Sequence, residues 1–392
     1  MAEKFIPENE TQVCDIVRWA LREHTSLRVH GHDSKAGLGT PVEAAHSVDV
    51  SRLDGIISYA PEELILSAWA GTPMAAITAL LREHRQQLAF EPPDWGPHFG
   101  VEKGRGTIGG VISCNASGPR RFKAGAARDH FLGFSAVNGR GELFKAGGHV
   151  VKNVTGYDLP KLFAGAYGKL GIMTQLTVKT MPAPADSATL MVRGLEDEAA
   201  LAALRKAAGS ALELSGLAHL PGSVNGARAQ TLFRLEGPFT AVTDRLNRLK
   251  SLLKGLGEFE SLSAEAALSL WRGVRDAEFF VGTGLPVWRL SVPPHSGAMV
   301  AGSIGAQKYF YDWAGGLIWL LSDEVQRVRE AVQKTGGHAT LFRAPEPLRR
   351  TVPVFEPQYP SLAALEERVR ESFDPLIVFN PGTANVTKQV DR

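Results

Sequence analysis

Between positions 104 and 171 the chain places 15 of its 41 glycines, in a stretch that keeps returning to strand-like apolar runs. A residue without a Cβ lets backbone N–H groups approach a ligand closely and lets the chain turn where φ is positive. So many backbone donors beside so few reactive side chains point to a large, phosphate-bearing cofactor lying along a loop-rich groove. The other reading is a β-rich domain with many tight turns.

The 392 residues exceed one ordinary domain and fit two, or two and a tail. With 44% hydrophobic and 21% charged residues the chain can build real cores. A net charge of +2 gives no whole-molecule argument for nucleic acid. Cys14 and Cys114 stand alone, without metal-ligand spacing, which predicts a reducing, cytoplasmic compartment and no resident metal. The first eleven residues are polar and show no secretory leader, and no run approaches a membrane span.

Val13, Ile16, Val17, Ala20 and Leu21 repeat at helical spacing, which predicts a helix over 11–23. A strand follows at 27–29, then a strand pair at 47–50 and 64–69. A second helix carries Met74, Ile77, Leu80 and Leu81, with Thr72 as cap and Pro73 at its first position. The strand at 171–179 closes the glycine-rich stretch, and Met181-Pro182-Ala183-Pro184-Ala185 marks a domain boundary. Beyond it, helices at 196–208, 240–253 and around Val325, Val328 and Val332 alternate with strands at 230–235, 287–292, 317–321 and 338–343. That pattern predicts an antiparallel sheet with helices on one face. The tail has one helix, through Leu362, Leu365 and Val369, and the sequence shows no internal repeat.

Gly104-Arg105-Gly106-Thr107-Ile108-Gly109 satisfies G-x-G-x-x-G by letter. It lacks an apolar strand before it and room for a long helix after it, so a Rossmann site is rejected. Residues 31–35 follow a strand instead, and their successive N–H groups suit an anion-binding nest, with Ser34 and Lys35 as further donors. The alternative for that loop alone is a plain turn. His30 and His32 would share a face if both lay in a strand, but no further ligands sit at zinc spacing. Arg120 and Arg121 form either a solvated basic loop or a substrate or partner site. The polar string from Lys152 to Asp158 reads as a brace for the groove.

Taken in order, these segments resemble the FAD-linked oxidases of the vanillyl-alcohol oxidase and p-cresol methylhydroxylase (PCMH) superfamily. The resemblance rests on Val29-His30-Gly31-His32-Asp33-Ser34-Lys35, Glu91-Pro92-Pro93, Thr107-Ile108-Gly109-Gly110 and Asn115-Ala116-Ser117-Gly118. It rests also on Gly165-Ala166-Tyr167-Gly168-Lys169-Leu170-Gly171-Ile172 and on Phe379-Asn380-Pro381-Gly382. Ser117-Gly118-Pro119-Arg120-Arg121, Trp288-Arg289-Leu290-Ser291, Asp312-Trp313-Ala314-Gly315-Gly316 and Gly336-Gly337-His338-Ala339-Thr340 are similar to the smaller flavin-binding subunits of bacterial glycolate oxidases.

The resemblance implies an α+β chain: a two-lobed PCMH-type FAD-binding domain at 1–182, an α+β (ferredoxin-like) cap domain at 183–345, and a C-terminal segment at 346–392 that returns to the FAD domain. It implies FAD held by His30, Gly31, His32, Asp33, Ser34, Lys35, Pro92, Gly106, Thr107, Gly109, Gly110, Asn115, Ser117, Gly118, Gly171, Ile172 and Asn380. Relatives that tether the flavin carry a histidine fourth in the first loop; here that residue is Ser34, so the FAD is expected to be non-covalent. The implied partners are a larger catalytic flavoprotein subunit and an iron–sulfur subunit, with peripheral attachment to the inner membrane through the complex. The implied substrate is a small 2-hydroxy acid, and Arg121, Arg289, His338 and Arg343 are the candidates to meet it. The H-x-G-D-G-N-x-H and E-H-G strings of the larger subunits are absent, and Tyr167 stands where those enzymes often carry a glutamate. The alternatives are a stand-alone lactate-type dehydrogenase and a flavin-free structural subunit.

Overall fold

The computed structural model describes residues 3–148, 156–226 and 228–382. Lys152, Asn153, Val154 and Thr155 of the polar string lie outside the described residues. The chain divides into two compact units. The first comprises Met1–Ser117, Gly125–Ala183 and Pro357–Arg392; the second comprises Gly118–Ala124 and Pro184–Glu356.

The first unit has two main sheets. In the smaller, Lys4–Phe5 and Leu27–His30 both pair in parallel with His46–Asp49, and the helix Glu10–Arg22 makes the crossover. That helix buries Val13, Cys14, Val17 and Ala20, the face its periodicity predicted, and Asn9 caps it by accepting from the Gln12 N–H. The tail joins the same core: Phe379 bridges to Leu27, and both are fully buried. The larger sheet is antiparallel, in the order Ile56–Ala60, Ile65–Trp69, Ile172–Lys179, Phe131–Val137, Leu143–Gly147.

Two local expectations fail here. The strands at 47–50 and 64–69 do not pair, because Ile56–Ala60, an exposed-edge strand, lies between them in sequence and takes Ile65–Trp69 as its own partner. Thr72 does not cap the second helix, Met74–Glu83, whose cap residue is Pro73. The Thr72 hydroxyl instead donates to the Gly55 carbonyl and accepts the Gly55 N–H, both at 3.0 Å, so it fastens a loop rather than a helix end.

The second unit is one eight-stranded antiparallel sheet. Its first half runs Asp186–Arg193, helix Asp197–Ala208, Gly216–Leu220, Gln230–Gly237, helix Phe239–Leu252, Glu258–Ser261. In space these four strands lie in the order fourth, first, third, second. The second half repeats this: Val287–Ser291, helix Gly297–Ile304, Tyr309–Asp312, Leu317–Leu321, helix Val325–Gln333, His338–Arg343, again with the first strand between the third and the fourth. Each half is a βαββαβ ferredoxin-like unit. The halves meet second strand to second strand, where His219 pairs with Tyr311. The internal repeat missing from the sequence is therefore present in the topology, because backbone ladders fix strand order without demanding shared side chains.

One face of this sheet buries Leu190, Phe233, Leu217, Tyr311, Ile318, Leu290 and Leu341 under the four repeat helices. A further helix, Ala264–Asp276, corrects the expectation of helices on one face. It packs on the opposite face, where Trp271 donates its indole N–H to Thr189 at 3.0 Å. Among the described residues no helix is long and apolar enough to cross a membrane.

Candidate functional site

In the first unit the strand Leu27–His30 ends into the 31–35 loop, so His30 closes the strand and His32 lies beyond it. The two imidazoles do not share a strand face. The His30 Nδ1 is 2.9 Å from the Gly31 carbonyl, and Asp33, at φ 56°, pairs with Arg28. The His32 Nδ1 is 3.1 Å from the Arg105 carbonyl, which ties this loop to the 104–110 string.

That string is clamped from behind. Thr107 accepts from the Gly110 N–H at 3.2 Å and caps a six-residue helix, Ile108–Ser113. The N–H groups of Ile108, Gly109 and Met74 bond to Thr72, Ala70 and Gly106 carbonyls at 2.8–3.0 Å. A Cβ on Gly109 would stand 2.7 Å from the Ala70 carbonyl oxygen, so the string cannot sit this close with any larger residue. Gly106 differs: the nearest atoms to a Cβ there are Lys35 Nζ at 3.9 Å and Met74 Cγ and Ser34 Oγ at 4.0 Å. Its open side faces the donors of the first loop. Half-buried Lys35 has its pKa lowered, first by burial, although Cys114 and Asp94 oppose the shift. Asp94, not among the predicted site residues, accepts from Gly96 and Gly104 N–H groups and shapes the loop between them; its Asp-x-Gly spacing was the available signal.

Behind the helix, Asn115 at φ 48° accepts the Arg128 N–H, and Ser117 both donates to the Asn115 carbonyl and accepts the Ala127 N–H. Gly165 and Tyr167 donate backbone N–H groups to Ile112 and Ser113 carbonyls, which brings the 165–172 segment alongside. Gly171 packs on the Val137 carbonyl, and Ile172 is buried in the core under the parallel strands. Pro92 follows Glu91, which turns the chain at φ 55°. Asn380, buried and at φ 45°, accepts the Val29 N–H at 2.9 Å and donates to the Tyr167 carbonyl at 3.0 Å. The structure thus brings loops distant in sequence around one glycine-lined cradle. A chain of backbone donors with an adjacent lysine suits a dinucleotide pyrophosphate, so the residues present fit FAD.

In the second unit a different group assembles. Gly118, a predicted cofactor residue, belongs here, where its carbonyl accepts the Trp313 indole N–H at 3.1 Å. Arg120 makes a two-point contact with Glu236 at 2.9 and 2.6 Å. Burial alone would raise the Glu236 carboxyl, but the Arg120 hydrogen bonds and the charges of Arg234 and Arg120 hold it down at about 2. Arg121 lies over Trp313 at 4.5 Å and Arg289 over the same ring at 5.1 Å. His338, whose strand register puts it on the Arg289 side of the sheet, has its pKa lowered by burial and by the charges of Arg289 and Arg121, with Glu356 opposing. The residue is solvent-exposed at the start of its strand. Three of the four candidate substrate residues converge. Arg343 does not: its guanidinium donates to the Phe280, Thr283 and Leu285 carbonyls and to the Thr283 hydroxyl.

A family profile described as an FAD binding domain matches residues 3–147. The glycolate oxidase subunit GlcE of Escherichia coli (strain K12) is 34% identical over 369 residues, 93% of this chain and 94% of its own length. The glycolate oxidase subunit GlcD of Bacillus subtilis (strain 168) is 26% identical over 263 residues, 63% of this chain and 54% of that one. Among solved structures, p-cresol methylhydroxylase with substrate bound superposes with a TM-score of 0.73 at 15% identity, covering 99% of this chain and 90% of that one, a likeness of fold. With a glycine-lined cradle that fits FAD and a match along nearly its whole length, the chain belongs to the family of the glycolate oxidase subunit GlcE, flavoproteins with FAD as cofactor.

Proposed function

We propose that this chain is the FAD-carrying subunit of a cytoplasmic oxidase complex that converts glycolate to glyoxylate and passes the electrons to an iron–sulfur subunit. The observation that carries the reading is the cradle between residues 31–35 and 104–110, where Gly106 leaves the side nearest Lys35 and Ser34 open. The full-length kinship with GlcE and the partial kinship with GlcD support a role beside a larger flavoprotein. When bound, FAD supplies a two-electron acceptor for the hydrogen on the hydroxyl-bearing carbon. The chain's own part is to hold the pyrophosphate by backbone N–H groups and Lys35, with no histidine at position 34 to form a covalent tether.

The test is purification of the chain with its flavin intact, followed by denaturation. FAD released into the supernatant supports the reading; a colourless protein that takes up no FAD overturns it. Co-purification with a larger flavoprotein and an iron–sulfur protein separates a complex subunit from a stand-alone dehydrogenase, which would reduce a dye with glycolate or lactate unaided.

A further inference from the structure

The two βαββαβ halves of the second unit share a single strand-to-strand residue pair, His219 with Tyr311. A polar cluster on the helix-covered face reinforces that short seam. Asp197, the first residue of the helix Asp197–Ala208, accepts the Tyr309 hydroxyl at 2.7 Å and the Tyr311 hydroxyl at 2.6 Å on one oxygen. Its other oxygen lies 3.3 Å from Nε2 of fully buried His219, whose Nδ1 is 3.0 Å from the Thr231 hydroxyl. One carboxylate of the first half thus holds a strand of each half.

At this seam lies a cleft of about 910 Å³, a volume ordinary for small-molecule sites, and Asp197 and Tyr309 of the cluster line it. The first half adds Leu195, Glu196, Glu198 and Arg205, and the second adds His295 and Met299. These charges are not spent on one another. Among the described residues the side chains of Glu196, Glu198 and His295 make no ion pair or hydrogen bond. Arg205 donates to the Pro294 carbonyl at 3.3 Å, which sets its guanidinium beside His295. A further lining residue, Arg228, faces Glu258 at 3.7 Å instead. Glu198 and Arg205 stand seven residues apart on one helix, so they share a face about 10 Å apart. That exceeds the three- or four-residue spacing at which a helix pairs its own charges. The cleft therefore presents an acidic end and a basic end, with exposed Met299 and Leu195 as its apolar wall. Tyr311 and Leu290 face the helices, so Arg289, next to Leu290 in its strand, points to the other side of the sheet.

We propose that this cleft binds an α-amino acid with an aliphatic side chain, at a site separate from the flavin cradle. Glu196 and Glu198 meet its ammonium group, Arg205 and His295 meet its carboxylate, and its side chain lies against Leu195 and Met299. Charge-assisted hydrogen bonds form at both ends, whereas an ion of one sign gains at one end and is repelled at the other. Such a ligand draws on both halves and reinforces the seam held by Asp197. Nothing in this recognition depends on which acid the flavin oxidises.

The experiment is a calorimetric titration of the purified full chain with L-leucine. The controls are isopentylamine and 4-methylpentanoate, which keep leucine's side chain and one of its two charges each. Leucine should bind saturably and about tenfold or more tighter than either control. Arg205→Gln should weaken leucine about tenfold and leave isopentylamine unchanged. The double variant Glu196→Gln with Glu198→Gln should weaken leucine by a similar factor and leave 4-methylpentanoate unchanged. FAD content and thermal midpoint, measured on every variant, show that each is folded. Absence of saturable leucine binding to the folded protein, equal affinity for leucine and either control, or unchanged leucine affinity in both variants would overturn the site. A protein without FAD that still binds leucine would sink the flavin reading and leave the amino-acid site standing.

Discussion

The side-chain oxygen of Asn380 accepts the backbone N–H of Val29 at 2.9 Å, across 351 positions of sequence. Its amide nitrogen spans to the Tyr167 carbonyl, so one residue of the tail brackets both the strand that launches the first cofactor loop and the turn at 167–168. Asn380→Ala leaves the part-buried Val29 N–H without its acceptor, at a cost of about 1 kcal/mol, and forces alanine into a left-handed conformation. The expected outcome is a lower thermal midpoint and sub-stoichiometric FAD. Asn380→Asp keeps the acceptor for Val29 and loses the donor to Tyr167, so it should fall between the two. Flavin content per polypeptide and thermal melts check both.

Gly106→Ala separates folding from cofactor binding. No protein atom lies closer than 3.9 Å to the added methyl, so the apo-protein should melt within about 0.5 kcal/mol of the parent, as substitutions that touch nothing do. The methyl would occupy the cradle, and FAD affinity should drop at least tenfold. Gly109→Ala, which collides with the Ala70 carbonyl, should lose both stability and flavin. Equal FAD affinity in Gly106→Ala and the parent would move the cofactor elsewhere.

The Arg120–Glu236 pair is largely buried on both sides, at 18% and 11% side-chain exposure. Arg120→Ala strands a buried carboxylate and should cost about 3–5 kcal/mol in denaturant unfolding. Replacing both residues with methionine should recover most of that loss.

The same pair sets a response to acid. Glu236 sits at about 2 in the folded protein against an ordinary 4.5. Its stabilising contribution is therefore complete above pH 4.5 and is lost as pH falls towards 2. Stability curves of the parent and the double methionine variant should diverge with pH across this window and stay parallel above it.

Lys169 has the opposite dependence. Burial, reinforced by Arg370, lowers it from 10.5 to about 8, although Glu366 and Glu367 pull the other way. Between these values the unfolded chain binds more protons, so stability rises with pH. Lys169→Met should be more stable than the parent below pH 8, and the difference should vanish above pH 10.5. Urea midpoints at pH 7 and pH 10 suffice to check it.

How much of this was legible follows from what each residue type advertises. The helix Glu10–Arg22 was readable because its buried residues recur at helical spacing. The strands Asp186–Arg193, Gly216–Leu220 and Tyr309–Asp312 were missed because strands inside a covered sheet carry no clean alternation to betray them. Glycine and polar loops signalled the cradle, but nothing in Trp313 or Ala314 announces their positive φ of 52° and 56°, so the turn whose indole lies under Arg121 and Arg289 was invisible. The expectation that Arg343 joins His338 fails because alternate strand residues face opposite sides, and Arg343 instead bonds to the 280–285 loop.

The tail's return has a consequence for how the protein is made. Gly139, whose place a larger residue could not take beside Asp374, and Val29 and Leu27 all find their partners among residues 373–380. Those partners are synthesised only after the whole of the second unit. The second unit, apart from its 118–124 segment, is one continuous stretch and can fold as it emerges. The first cannot close its parallel core before residues 373–380 have emerged, so a chain truncated before residue 373 is expected to lack the contacts that hold the first cofactor loop in place.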